Sequence, residues 1–316
     1  MPAFSATAPG KIILFGEHAV VYGQPAIAVP VTKVCAKATV TPNIHRAQGK
    51  VEIHAPDIGA NTTLDELPPG DPIREAIWGV LSESGISRVP ACTLKVSSSI
   101  PIASGLGSGT AVSVAIIRSM AGFLGQLLTD DAVSRLAYEV EKIHHGTPSG
   151  IDNTVVTYAK PIYFVKDKPI EIFQITKPFT IVIGDTGIRS PTRETVRDVR
   201  ISRQIEPAHF DRLFSAIGSI TKTARQAIES GYPERLGPLM DENHALLQEM
   251  GVSSPELDRL VSTAKQTGSL GAKLSGGGRG GNMIALVPPE RAEHISLAMR
   301  NRGAVNTIIT SVSGIK

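Results

Sequence analysis

Aromatic residues are scarce. They make up 4% of the 316-residue chain, with a single tryptophan. That leaves little material for a surface that stacks nucleic-acid bases. Cysteine is scarcer still: Cys35 and Cys92 are the two. Neither sits in a metal-type cluster, and two thiols in a chain this long build no disulfide framework, so a reducing compartment is expected. No stretch approaches roughly 18 uncharged apolar residues, so no membrane span is expected. The opening residues lack a basic region followed by an apolar run, which gives the expectation of no signal peptide and a cytoplasmic location. Excess charge is also small. Lys and Arg total 32 and Asp and Glu 29, a net charge of +3, which suits a small anionic ligand and does not by itself imply nucleic acid.

What is present is a foldable α+β pattern. Hydrophobic residues are 41% and charged residues 19%, which excludes wholesale disorder. The length fits two domains or one large unit. Short β-branched runs predict strands at Lys11–Phe15, Ala26–Val31, Cys35–Pro42, Val51–His54 and Thr93–Ser97. Asp57–Asp71 reads as a surface loop before a helix from Pro72 to Ser84. Thr110–Leu128 is apolar nearly all round, as in a helix buried between layers. Asp130–His145 carries Val133, Leu136, Ala137 and Val140 on one stripe, with two acids in its first turn. Phe179–Gly184 reads as a buried strand. Helices follow at Pro207–Ser230, Pro233–Met250, Ser254–Thr267 and Pro289–Asn301, with strands Asn282–Val287 and Thr307–Val312. A boundary near Pro178 divides the chain into 1–178 and 179–316.

Four segments carry chemistry. In Pro101-Ile-Ala-Ser-Gly-Leu-Gly-Ser-Gly-Thr-Ala111, glycines at 105, 107 and 109 precede the buried helix. Backbone N–H groups there can approach an anion without a Cβ in the way, and the helix N-terminus adds unpaired donors. No Gly-Lys-Ser/Thr follows, so it is not a Walker A loop, and the spacing is not that of a dinucleotide fingerprint. A tight strand–helix turn is the alternative. In Glu141-Lys-Ile-His-His-Gly-Thr-Pro-Ser-Gly-Ile-Asp152, Glu141 lies at the edge of the apolar stripe, and a turn after Gly146 places Asp152 beyond it. One carboxylate could hold a hard cation and the other orient a hydroxyl; alternatively Glu141 pairs with Lys142 in solvent and Asp152 serves the turn. His144 and His145 project differently on a helix and fit capping or packing better than a metal site. Lys273-Leu-Ser-Gly-Gly-Gly-Arg-Gly-Gly-Asn282 is a linker or an ordered turn, and the strand that follows at once favours the turn. The opening Ala8-Pro-Gly-Lys-Ile-Ile-Leu-Phe-Gly-Glu-His-Ala-Val-Val-Tyr-Gly23 places Lys11, Glu17 and His18 where charges interrupt apolar residues.

Together these segments resemble the GHMP small-molecule kinases, three of whose motifs occur in order across nearly the whole chain. Gly16–Gly23 and His145–Asn153 look like the branch of the family that phosphorylates mevalonate. The resemblance implies an N-terminal lobe like the second domain of ribosomal protein S5 and a ferredoxin-like C-terminal lobe that closes on the site. It implies ATP and Mg²⁺ as cofactors and transfer of a phosphoryl group to the C5 hydroxyl of mevalonate. By the same resemblance Pro101, Ser104, Gly105, Leu106, Gly107, Ser108, Gly109 and Thr110 would cradle the ATP phosphates. Ser108, with Thr110 as second choice, and Glu141 would bind the metal. Asp152 would take or orient the hydroxyl proton beside Lys11. Glu17, His18 and Thr192 would join Lys11 and Asp152 in holding substrate, and Gly276, Gly277 and Gly278 would close the cleft. Two departures stand out: Gly109 and Thr110 follow Ser108 where many relatives read Ser-Ala, and Arg279 and Asn282 stand where the third motif has glycine and often cysteine. Arg279 either adds a cation near the phosphates or points outward, which the rest of the motif favours.

The expected partner is therefore a small molecule, with no nucleic acid or membrane; the resemblance leaves a homodimer open. Competing readings are a kinase of the same fold for phosphomevalonate, homoserine or the mevalonate 3-hydroxyl, and a non-catalytic ATP sensor. Arg189, Arg193, Arg197 and Arg200 keep phosphomevalonate in view. Lys11, Glu141 and Asp152 together weigh against the sensor. An RNA-binding protein is the weakest reading, since it rests on fold analogy alone.

Overall fold

The computed structural model describes residues 2–101, 104–145, 148–190 and 192–314. Ile102 and Ala103 of the first glycine segment, Gly146 and Thr147 at the expected helix end, and the side chains of His144 and His145 lie outside the described residues. Packing groups the chain into two compact units. The first holds Met1–Gly10, Val34–Pro101 and Gly107–Ala159; the second holds Lys11–Lys33, Ile102–Leu106 and Lys160–Lys316. This partition differs from a single cut near Pro178, because strands Phe4–Phe15 and Ala26–Pro42 each contribute to both units. At about 3.3 Å per residue, the second of these strands is on the order of 55 Å long. The sequence suggests two strands there, but Val31-Thr32-Lys33-Val34 offers no glycine or proline and its β-branched residues carry the chain straight through.

In the first unit, Cys92–Ser98 pairs antiparallel with Ala36–Pro42 and parallel with Val51–His54. Ala60–Thr63 pairs with Glu52–Ala55, so the stretch expected to be all loop contains a strand. A parallel pair needs a crossover, and helix Pro72–Glu83 lies in it. Asp71 caps that helix, accepting from Ile73 N at 2.9 Å and Arg74 N at 3.3 Å. Helices Ser108–Phe123 and Asp130–His145 pack against it, and Ile151–Tyr158 packs on those two. Ser108–Phe123 is apolar on almost every side and buries Val114, Ile116, Ile117 and Met120. It stops short of Leu128 because Gly125 takes φ 74°. There Gly125 N–H and Gln126 N–H close back on Gly122 and Ala121, the usual left-handed helix stop.

In the second unit, Phe179–Asp185 lies between Asn282–Val287 and Asn306–Val312, and Gly271–Ser275 pairs outside Asn282–Val287, all antiparallel. Helices Pro207–Glu229, Leu236–Glu249 and Pro255–Gln266 come between the first and second of these strands in the chain, and Ala292–Asn301 between the last two. A βαββαβ order with this strand arrangement is the ferredoxin-like topology. Its core joins Phe214, Ile217, Leu247, Leu260, Leu274, Met283 and Met299. Asn282–Val287 is buried along its whole length, as expected of a central strand. The fold is α+β. Among the described residues no helix is long and apolar enough to cross a membrane.

Candidate active site

The first unit carries the glycine-led helix and two carboxylates. Gly107 caps helix Ser108–Phe123 with φ 73°, and no side chain occupies the cap. The first-turn N–H groups of such a helix have no intrahelical partners and favour an anion. Ser108 stands at the first helical position, half-buried, and Thr110 is buried two residues on. The Thr110 hydroxyl donates to Glu141 Oε1. Glu141 is buried, and Lys142 pairs with Glu139 at 2.7 Å, so the solvated Glu141–Lys142 alternative does not hold. A buried carboxylate beside a hydroxyl oxygen is a hard-oxygen set of the kind that holds Mg²⁺ together with phosphate oxygens.

Asp152 lies in the first turn of helix Ile151–Tyr158, not in an irregular turn. The preceding Gly150 has φ 89° and makes the corner. Asn153 is buried and donates to Ser134 O at 3.2 Å and Ser134 Oγ at 2.9 Å, which pins this helix to Asp130–His145. Its neighbour Asp152, about 100° further round the helix, stays half-buried.

The first unit also has a groove of about 790 Å³. Lys37, Thr39, His54, Asn61, Lys95 and Ser97 are among its lining residues. Strand Cys92–Ser98 supplies two of them and ends three residues before Pro101.

The second unit carries the opening motif and the third glycine segment. Lys11 is buried in strand Phe4–Phe15, and its N–H donates to Leu106 O at 2.9 Å, fastening that part of the glycine loop. Gly105 is exposed and has φ 83°. Ser104 is buried, and its carbonyl accepts from Asn282 Nδ2. Two of the sequence motifs thus meet at Ser104 and Asn282.

Glu17 and His18 follow Gly16, whose φ of 97° suits glycine alone, since a Cβ there would strike Pro25 O and Ala26. His18 has φ 59°, a conformation costly for most non-glycine residues. Its Nε2–H donates to Gly277 O at 3.1 Å. Burial lowers the His18 pKa to about 4, helped by the charges of Arg279 and Lys273 and opposed by the Gly277 hydrogen bond. The ring is therefore neutral at pH 7, with Nδ1 as its acceptor. Glu17 forms a fully buried ion pair with Lys273. Its second oxygen, Oε2, has no hydrogen-bond partner among the described residues. Burial lowers the Lys273 pKa, and Glu17 opposes that shift.

The third glycine segment is an ordered turn. Gly278 O accepts from Ser190 Oγ at 2.8 Å, Arg279 N donates to Val252 O at 2.8 Å, and Gly281 N donates to Ile188 O at 2.7 Å. A Cβ on Gly277 would lie 2.5 Å from Thr192 Oγ1 and 2.9 Å from Ser190 Oγ, so the loop and the exposed Thr192 are in near contact. Among the described residues nothing lies within 4 Å of a Cβ on Gly276, but its φ of 87° disfavours one. Arg279 pairs with Asp198 at 2.6 Å.

Sequence reasoning assigned no role to Lys273 or Ser190. The available signal was a lysine inside the buried strand Gly271-Ala-Lys-Leu-Ser275, where an unpaired charge would be costly.

Comparison with known proteins follows the same division. Residues 72–160 match the family description "GHMP kinases N terminal domain" and residues 224–305 match "GHMP kinases C terminal". The chain is similar to a mevalonate kinase of Thermococcus sibiricus, 35% identical over 98% of this chain and 96% of that one. It is 36% identical to a mevalonate kinase of Pyrococcus furiosus over the same shares, 98% and 96%. Among solved structures it resembles L. major mevalonate kinase in complex with R-mevalonate, with a TM-score of 0.84 and 29% identity, covering 98% of this chain and 96% of that chain.

Proposed function

The chain belongs to the GHMP kinases, and from that premise we propose how its residues carry the reaction. The protein is a mevalonate kinase, an ATP-dependent phosphotransferase acting on an alcohol. The observation that carries this is likeness to mevalonate kinases along nearly the full chain.

In the proposed reaction the C5 hydroxyl oxygen of mevalonate attacks the γ-phosphorus of ATP. The bond from that phosphorus to the ADP oxygen breaks, and the hydroxyl proton leaves. Asp152 accepts or orients that proton, and Lys11 offsets the negative charge on the reacting oxygens. Phosphoryl transfer depends mainly on positioning and electrostatics, so a few fixed groups suffice. The backbone of Pro101–Thr110 receives the phosphates, an assignment supported by the uncapped helix start at Gly107. Glu141 and Ser108 would hold Mg²⁺, and Thr110 keeps Glu141 aligned through its hydrogen bond. The ion supplies charge neutralisation on the β- and γ-phosphates. Glu17, His18 and Thr192 hold mevalonate, with Gly276–Gly278 beside them. The groove around Asn61 and Lys95 takes the nucleoside end, supported by the strand it shares with the run to Pro101. The functional lobes 1–178 and 179–316, a homodimer and a cytoplasmic location belong to the same proposal.

A coupled ADP-release assay with Mg-ATP tests it, with mevalonate, 5-phosphomevalonate and homoserine side by side and the product read by ³¹P NMR. Turnover of mevalonate alone to the 5-phosphate is the expected result. Turnover of another of these acceptors would keep the phosphate chemistry and reassign the pocket around Glu17 and His18.

A further inference from the structure

We infer that Lys273 is a positioning residue, which through its buried ion pair with Glu17 holds the Gly16–His18 segment in register with the glycine turn at 276–281. This rests on the mevalonate reading of that segment.

The argument begins with the cost of the arrangement. The Lys273 ammonium and the Glu17 carboxylate are both fully buried. Two apolar side chains of similar size would stabilise such a place at least as well. The charged pair is therefore poorly explained by stability and better by geometry. Its location supports this. Glu17 stands between Gly16 at φ 97° and His18 at φ 59°, and positive-φ backbone persists only where surrounding contacts over-determine it. Three contacts do so from one side. Ser275 Oγ donates to Ile13 O at 2.8 Å, His18 donates to Gly277 O at 3.1 Å, and Lys273 grips Glu17 between them.

Lys273 is itself held. Its Nζ also donates to Leu274 O at 2.6 Å. Strand Gly271–Ser275 is the outer strand of its sheet, and helix Leu236–Glu249 covers the free side. Asp241 Oδ1 accepts from Ala272 N at 3.0 Å, and His244 Nδ1 accepts from Leu274 N at 3.3 Å. Asp241 and His244 are three apart on that helix, so they share a face and replace a neighbouring strand on both sides of Lys273. Of the titratable neighbours, His18 and His244 feel the Lys273 charge, with Arg279 also acting on His18 and Asp258 and Asp241 on His244.

Four proteins test the inference: wild type, Lys273→Met, Glu17→Gln, and the double variant. The double variant is compared with Glu17→Gln, because both carry the same group at position 17. The expected KM for mevalonate is about tenfold higher in Lys273→Met than in wild type, with KM for ATP within about twofold, while the double variant stays within about twofold of Glu17→Gln because the pair it would break is already gone. Equal mevalonate KM in Lys273→Met and wild type, or a double variant as far above Glu17→Gln as Lys273→Met is above wild type, would overturn the inference. A merely structural lysine would alter melting and leave the split between the two KM values unmoved. If wild type does not turn over mevalonate, the functional reading fails on its own. Melting still reads the pair without substrate: Lys273→Met should melt well below wild type, and the double variant, which leaves no buried charge unpaired, should recover part of that loss.

Discussion

Thr110 donates its hydroxyl hydrogen bond to Glu141, joining the first turn of helix Ser108–Phe123 to helix Asp130–His145 inside the first unit. The bond ties the phosphate-binding end of one helix to the carboxylate proposed for the metal. Thr110→Val keeps the shape and removes the donor. It should cost about 1–3 kcal/mol of stability in urea unfolding. It should also raise the Mg²⁺ concentration needed for half-maximal activity. An unchanged Mg²⁺ requirement would separate Thr110 from the metal role.

Asp152→Asn is expected to lower kcat by roughly 10²–10⁴-fold, the range for loss of one proton-transfer group. Affinity for a non-hydrolysable ATP analogue should stay within about twofold. Wild-type turnover in this variant would remove Asp152 as the base.

His18 links stability to pH. Its folded pKa is lowered to about 4 from 6.5, so between those values the unfolded chain binds the proton more readily. Stability should therefore be full above pH 6.5 and fall as pH drops toward 4, by up to about 3 kcal/mol. His18→Asn keeps a neutral hydrogen-bond donor at that position and should lose that slope. Urea unfolding of both proteins at pH 7 and pH 5 makes the comparison.

Gly277→Ala should be worse than Gly276→Ala. At 277 the added methyl meets Thr192 Oγ1 and Ser190 Oγ, whereas at 276 it meets open space and only the backbone resists. The expected result is a larger rise in mevalonate KM for Gly277→Ala, while Gly276→Ala costs about 1 kcal/mol of stability. Steady-state kinetics and thermal melting of the two variants decide it.

Asn61→Ala, in the groove of the first unit, should raise KM for ATP and leave KM for mevalonate unchanged. The reverse pattern would show that the groove does not receive the nucleoside.

Much of the fold was legible because the underlying signals are local. Apolar periodicity set helix Asp130–His145 with the same ends in the structure. Pro and Ser at a helix start placed Pro255–Gln266 within a residue at each end. Errors arose where local signals ran out. Ala26–Pro42 is one strand where two were expected, because no turn residue interrupts Val31–Val34. Gly125 ended a helix that composition alone would extend. The helix Thr192–Ile205 was not read because few of its side chains are buried, Thr195 and Val199 being the ones that are.

The candidate site divides in the same way. Glycine runs, the isolated carboxylates and the order of the motifs are properties of the chain, so sequence by itself determined the family, the reaction class and the residues to examine. Their partners are set at long range. Lys273 is 256 residues from Glu17, Asn282 is 178 from Ser104, and Gly277 is 259 from His18. No local pattern encodes such pairings. They exist because burial removes water from a charge or a carbonyl, and the folded chain must then supply the partner that water no longer can. Tertiary structure alone decided which lysine neutralises Glu17, which hydroxyl meets Glu141, and that His18 sits neutral against the glycine turn.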